Sequence, residues 1–402
     1  MMKRLRFEIG FFIAARTVLN TGYRMIYPFL PVFARSLGVD IKTMSLALTA
    51  RATAGAFGPL LAPYSDLKGR RFGMLLGIGL FTTGAAVPFL GPRFLLFAAA
   101  LVLMTIGKYV FDPSMQALLG DRIPYARRGM ALALTELGWA LAFILGVPAA
   151  GFLITKYGWR APFAGLACLG FAALVIVRTG FPGVRNRGPS FGGGEDEGPA
   201  KTGRRDHFQS FRAVFTSAAA LSGLAVMAMV SAANESINIV FGVWLEDSFG
   251  LKIAALAAAS AVIGISEFGG ETLVAVTVDR VGKFRAVLAG LAGNSVAALL
   301  LPMTGRSSFS AVAGLFAFYL TFEYTIVSFI PLMSEVLPEA RATLLAFNTA
   351  AFSLGRAAGA WFSPRLYELG FFLVTLAAFV CNALALAALL WLRRLRGKSN
   401  PL

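Results

Sequence analysis

Histidine is almost missing from this 402-residue chain, His207 being the only one, and it stands outside every long apolar stretch. A histidine-based metal site or nucleophile relay within those stretches is therefore excluded. Cysteine is nearly as scarce: Cys168 and Cys381 both fall inside apolar runs. They read as small hydrophobes, not as a disulfide framework. Charge is short as well, with 14% charged residues against 57% hydrophobic. A soluble globule averages about 25% and about 45–50%, so this chain belongs in a bilayer. No Gly-x-x-x-x-Gly-Lys-Ser/Thr loop appears, which argues against a nucleotide-driven pump.

What is present is a series of apolar runs long enough to cross hydrocarbon, each about 20 residues. Twelve spans are expected: 8–34, 44–65, 72–91, 94–120, 129–154, 160–178, 216–245, 252–278, 285–304, 308–334, 342–364 and 369–392. The start Met1-Met2-Lys3-Arg4-Leu5-Arg6 imitates a signal peptide, but the apolar run continues too far and contains Arg16, Asn20 and Arg24. It is expected to be the first span. The acidic count is 20 against 37 Lys and Arg, a formal net charge of +17. In a soluble chain that excess would suggest nucleic acid; here it follows the connections that the positive-inside rule places in the cytoplasm. Both termini are expected there, facing anionic lipid of the cell membrane, and no nucleic-acid partner is needed.

Residues 179–212 interrupt the pattern with proline, glycine, Glu195-Asp196-Glu197 and Arg204-Arg205. Such a composition cannot bury a core and reads as a solvated tether, with Asp206 to Phe215 expected along the membrane interface. The chain thus divides into 1–178, a linker over 179–212, and 213–402, each flanking part holding six spans. Two short turns repeat across this division. Asp66-Leu67-Lys68-Gly69-Arg70-Arg71 returns 213 residues later as Asp279-Arg280-Val281-Gly282-Lys283-Phe284-Arg285. A second pair follows at nearly the same period, Asp121-Arg122-Ile123-Pro124 against Glu335-Val336-Leu337-Pro338. Duplicated membrane bundles commonly carry solutes.

These residues resemble the major facilitator superfamily over essentially the whole chain. Its turn between the second and third spans reads Gly-x-Leu-x-Asp-x-x-Gly-Arg-Lys/Arg, matched by Asp66, Gly69, Arg70 and Arg71. Ala62 and Tyr64 replace the leading Gly and Leu; Asp279, Gly282 and Lys283 match in the second copy, with Ala275 for the Gly. The resemblance implies an all-α integral membrane fold with twelve helices in two six-helix halves, a monomer without cofactor. It implies a conformational latch at Asp66, Gly69, Arg70, Arg71, Asp279, Gly282 and Lys283. The fifth span, with Gly138, Gly146, Pro148 and Gly151, resembles the glycine-rich fifth helix of exporting antiporters in part. Export is therefore expected over import.

Charges inside a membrane cost at least about 2.5–3.5 kcal/mol each, so each raises a functional hypothesis. Here they are Arg16, Arg24, Arg51, Lys108 and Arg356 against Asp112, Glu136, Glu235, Glu267, Glu271 and Glu323. Spacing by four aligns Arg16, Asn20 and Arg24 on the first span and Lys108, Asp112 and Gln116 on the fourth. Asn234, Glu235 and Asn238 share a face of the seventh, and Tyr319 and Glu323 one of the tenth. The resemblance implies that these four spans line the central cavity, so the stripes and Arg356 are candidate substrate contacts. Arg51 and Glu136 are expected nearer helix ends, where long side chains reach the interface cheaply. Glu267 and Glu271 lie one turn apart, and two carboxyls so close in a low dielectric do not both ionise cheaply. With Glu235 and Glu323 they are candidate proton-coupling groups.

A secondary transporter of an anionic, zwitterionic or amphipathic organic solute, driven by protons and working as an exporter, is the function these features favour. A proton-coupled importer of an organic anion is the alternative. An integral-membrane enzyme acting on lipid needs polar catalytic groups near an interface, and the acidic residues here lie deep.

Overall fold

The computed structural model describes residues 2–58, 69–123, 125–180 and 204–399, and among them the secondary structure is entirely helical. The first half of the chain holds α1 (Met2–Arg24), α2 (Leu30–Leu37), α3 (Ile41–Ala56), α4 (Arg70–Ala86), α5 (Phe94–Arg122), α6 (Tyr125–Leu141), α7 (Val147–Tyr157) and α8 (Ala161–Gly180). After the linker come α9 (Arg204–Thr216), α10 (Ala218–Phe249), α11 (Ile253–Val281), α12 (Lys283–Leu300), α13 (Ser308–Met333), α14 (Arg341–Tyr367) and α15 (Phe371–Ser399). Among the described residues nine helical segments are long and apolar enough to cross a membrane. The expected first, second and eleventh spans fall outside that set, and they carry Arg16 and Arg24, Arg51, and Arg356 respectively.

The first span is not continuous, contrary to expectation. The helix stops at Arg24 and restarts at Leu30 through a run of turns. Pro28 explains the break, because it lacks an N–H and disfavours helical backbone at Tyr27. The consequence is functional geometry: Tyr23, Arg24 and Tyr27 sit at the break, all buried. The fifth span is also irregular, with a π turn at Ala142–Gly146 between α6 and α7 and Pro148 near the start of α7. A Cβ at Gly146 would come within 1.8 Å of the Thr21 hydroxyl oxygen, so only glycine lets α1 pack this close.

Within the first half α4 packs on α5 and α8, and α1 on α6; within the second, α10 packs on α14 and α15, and α12 on α13 and α15. The main contacts that join the halves are α3 with α14 and α7 with its preceding π turn against α11, and smaller ones link α2 with α10 and α6 with α11. The main buried apolar cluster runs through both halves without interruption.

The repeated turns adopt matching geometry. Gly69 and Gly282 have φ of 98° and 87°, a region that favours glycine, and each precedes a helix. Beside them, Arg70 pairs with Asp121 at 3.5 Å and Lys283 pairs with Glu335. The two repeated sequence pairs thus meet as equivalent ion pairs, one in each half. Arg71 donates to the carbonyl of Arg178 at the end of α8. Asp66 lies outside the described residues, and Asp279 is exposed with no ion pair among those described.

Candidate functional site

Three polar clusters hold most of the charges within the spans, one inside the first half and two across the halves. The first is built on α1, α5 and α6. Arg16 reaches Glu136 at 2.6 Å and Asp112 at 3.4 Å, while Lys108 pairs with Asp112 at 2.6 Å one turn away. Two cations face two carboxylates, so this cluster is balanced within the first half. Gln116, from the same stripe, donates to Glu136 at 3.4 Å.

The second cluster crosses between halves. Arg24 donates to Glu267 at 2.6 Å and to the Trp139 carbonyl at 3.0 Å, with its guanidinium 3.5 Å from the Phe143 ring centroid. Both charged side chains are about 3% exposed. Such a pair holds its place only because hydrogen bonds and ring faces replace the water that burial removes.

The third cluster surrounds the break in the first span. The Tyr27 hydroxyl donates to Glu235 on α10 at 2.8 Å and accepts from Arg51 at 2.8 Å. Arg51 also donates to the Tyr23 carbonyl at 2.7 Å and lies 3.8 Å from the Tyr23 ring centroid. From α14, Arg356 donates to the Tyr23 hydroxyl at 2.9 Å and stands 3.7 Å from Glu235. Asn238 donates to Asn234 at 2.9 Å and to Glu235 at 3.4 Å, and the Tyr319 hydroxyl donates to Asn238. Gly359 permits this assembly, since a Cβ there would sit 2.8 Å from the Cβ of Glu235 and the carbonyl of Ala232.

Most of the predicted stripe residues converge. Arg16, Lys108 and Asp112 form one cluster, Arg24 and Glu267 a second, and Asn234, Glu235, Asn238, Tyr319 and Arg356 join the third. Asn20 is fully buried between Arg16 and Arg24, yet neither amide atom has a protein partner. Glu271 and Glu323 meet no cation within salt-bridge distance among the described residues. Glu323 packs against Gly270, between Glu267 and Glu271 in sequence, so three carboxyls from α11 and α13 converge there.

One expectation is overturned. Arg51 is not a snorkelling residue near a helix end but is 1% exposed at the centre of the third cluster. It lies on the buried stripe of α3, in register with Met44, Ala47, Leu48 and Gly55, and that stripe was the available signal. Tyr23 and Tyr27 were also missed as site residues, since a tyrosine near a charged stripe does not reveal the break that aims it. Glu136, by contrast, has 45% of its side chain exposed beside Arg16.

The family model described as Major Facilitator Superfamily matches residues 12–360. An uncharacterized MFS-type transporter, YwfA of Bacillus subtilis, is 25% identical over 370 residues, covering 91% of this chain and 86% of that protein. A chloramphenicol resistance protein of Streptomyces lividans is 28% identical over 176 residues, 44% of this chain and 45% of its own length. Among solved structures, a bacterial homologue of the human lysosomal transporter Spinster, in an inward-facing and unoccupied conformation, matches with a TM-score of 0.73 at 16% identity. That match covers 98% of this chain and 95% of the other.

Proposed function

Because the chain belongs to the Major Facilitator Superfamily, a multi-pass transporter family of the cell membrane, we propose that it is a proton-coupled exporter of an organic solute. The observation that carries this reading is the third cluster: Tyr27 and Tyr23 from one half are hydrogen-bonded to Glu235 and Arg356 from the other, with Arg51 bonded to the Tyr27 hydroxyl behind them. A solute entering between the halves exchanges its own polar groups for these bonds. Binding and rearrangement are then a single event, as alternating access requires.

Coupling rests on the carboxyls that lack a cation. Glu323 and Glu271 carry a proton in one state and release it in another, changing the charge that faces Arg24 and Glu267. Proton loading thereby weakens or strengthens the cross-half pair, and solute and proton movement become linked. Twelve spans in two sequence-related halves, 1–178 and 213–402 around a cytoplasmic linker, suit such a rocking mechanism, in a monomer. Export is favoured by the glycine-bearing fifth span and by likeness to a chloramphenicol resistance protein.

The test uses protein reconstituted in proteoliposomes with radiolabelled chloramphenicol and a panel of aromatic acids under an imposed pH gradient. Uptake into inverted vesicles should follow the gradient and fall at least tenfold in Glu323→Gln. Flux that survives collapse of the gradient, or is untouched by Glu235→Gln and Glu323→Gln, sinks the coupling assignment.

A further inference from the structure

Each of the three clusters lends one cation to a single aromatic ring. The Trp139 indole on α6 has the Arg24 guanidinium 4.2 Å from a ring centroid, Arg356 at 5.8 Å and the Lys108 ammonium at 5.9 Å. Lys108 belongs to the first cluster, Arg24 to the second and Arg356 to the third, and Arg356 comes from the other half of the chain. The Tyr23 ring stands 6.3 Å away, tilted by 45°. Indole is the strongest of the aromatic rings at holding cations, and it gains most where water is excluded.

The ring is not packed shut. On the same helix Met130 and Leu134 are 70% and 37% exposed, which marks the side of α6 that faces lipid. At 3.6 residues per turn, Trp139 lies about 140° around the helix from Leu134, and Glu136 about 160° the other way. Both point away from lipid, yet Trp139 is partly exposed and Glu136 is open beside it. That open surface faces the space between the halves, where Arg356 arrives from the second half. Trp244 shows the contrasting case: it is 4% exposed and stacked on Phe371 with centroids 4.0 Å apart, which is how an indole fills a core.

We infer that Trp139 is the stacking platform of the solute site, and that the solute presents a non-cationic aromatic ring to it. This rests on the transporter reading above and narrows it. The solute ring takes the place of Arg356 beside the indole, and Arg24 and Lys108 offer N–H donors to an acceptor at its edge. A cationic ring of the same shape competes with three positive groups already placed there and is rejected. A saturated ring of the same size gains contact area but none of the ring-to-ring attraction. Displacing Arg356 from Trp139 also loosens a link between the halves, so recognition and rearrangement share one residue.

The probes are 4-nitrobenzyl alcohol, 4-nitrobenzylamine and cyclohexylmethanol, titrated against the purified full-length protein in detergent. Thermal unfolding reports binding, and tryptophan emission reports contact, because a nitroaromatic ring quenches an indole that it touches. Only 4-nitrobenzyl alcohol should raise the unfolding temperature saturably, and it should quench emission over the same concentration range. Trp139→Leu should weaken the unfolding response about tenfold, the scale of one aromatic pair. Trp139→Phe keeps a ring, so it should keep the unfolding response while losing the saturable quench. If Trp139→Leu does not fold, the quench in the wild type against Trp139→Phe decides alone. The inference is overturned by no saturable response in the wild type, by an equal response to the amine or to cyclohexylmethanol, by an undiminished response in Trp139→Leu, or by a saturable quench that persists in Trp139→Phe. If gradient-driven solute flux is present while these probes fail, only the platform is wrong. If flux ignores the gradient as well, the coupled-transporter reading falls with it.

Discussion

At the end of the bundle that holds both termini, ion pairs among the described residues stay within one half of the chain. Arg70 pairs with Asp121, Arg122 with Glu8, and Lys283 and Arg396 with Glu335. At the opposite end the pairs cross, Arg35 with Glu246 at 2.7 Å and Lys42 with Glu368 at 2.5 Å. The buried middle also crosses, through Arg24–Glu267, Tyr27–Glu235 and Arg356–Tyr23. The contrast teaches which bonds the rocking motion proposed above would have to break. Those at the terminal end brace each half as a rigid unit; those at the far end and the middle hold this conformation shut.

The largest effect is expected where a crossing pair is buried. Removing one partner of such a pair typically costs about 3–5 kcal/mol, because the other charge is left uncompensated. Arg24→Gln should therefore lower stability by roughly that amount in a denaturant titration in mixed micelles, and adding Glu267→Gln should recover most of it. Lys283→Gln breaks a pair within one half whose side chains are 38% and 41% exposed. It should cost no more than about 1 kcal/mol. Equal losses in the two variants would remove the distinction between crossing and bracing pairs.

A second contrast uses glycines at helix contacts. Gly264 on α11 faces the first half, where a Cβ would lie 2.9 Å from Ile144 and Phe143 and 3.1 Å from the Ala140 carbonyl. Gly77 on α4 faces α5 within one half, where a Cβ would lie 2.7 Å from the Gly107 carbonyl. Overpacking of this kind costs about 1–3 kcal/mol at either place. Only Gly264→Ala should also widen the distance between spin labels on α2 and α10, because only that wedge separates the halves. Widening in both variants, or in neither, would show that the halves do not move as units.

Legibility in the sequence follows the physics of each feature. Nine of the twelve expected spans were plain because hydrocarbon demands about 20 apolar residues and those stretches supply them, whereas the first, second and eleventh are diluted by the buried charges they carry. The stripes were plain because a charge in a membrane is costly and a spacing of four residues fixes a face. Arg16, Arg24, Lys108 and Glu235 were found on that ground. Arg51 was not, because depth counted along an assumed straight helix placed it near an end, while its environment comes from a break in another span at Pro28. Pairing across the halves was likewise hidden: Arg24 and Glu267 are 243 residues apart, and no local pattern relates them. What the sequence concealed is how elements face one another, which depends on irregular backbone at Met25–Phe29 and Ala142–Gly146.

The smallest effect is expected at the exposed crossing pairs, and it is also the most informative about the two ends. Arg35 is 62% exposed and Glu368 53%, so each pair contributes only about 0.2–1 kcal/mol. Single neutralisations should leave thermal stability nearly unchanged. Reversing both, with Glu246→Arg and Glu368→Lys, turns two attractions into repulsions at one end only, a bias of about 1–2 kcal/mol. About 1.4 kcal/mol is a factor of ten in a two-state ratio, so the population open at that end should rise several-fold to tenfold. The rise should shrink as salt is raised from 0.01 to 1 M, since the screening length falls from about 30 to about 3 Å. Spin-label distances across the far end give the measurement. Exchanging the partners, Arg35→Glu with Glu246→Arg and Lys42→Glu with Glu368→Lys, should restore the original distribution. If the reversed variant keeps that distribution unaided, these pairs are incidental, and the middle cluster alone holds the far end closed.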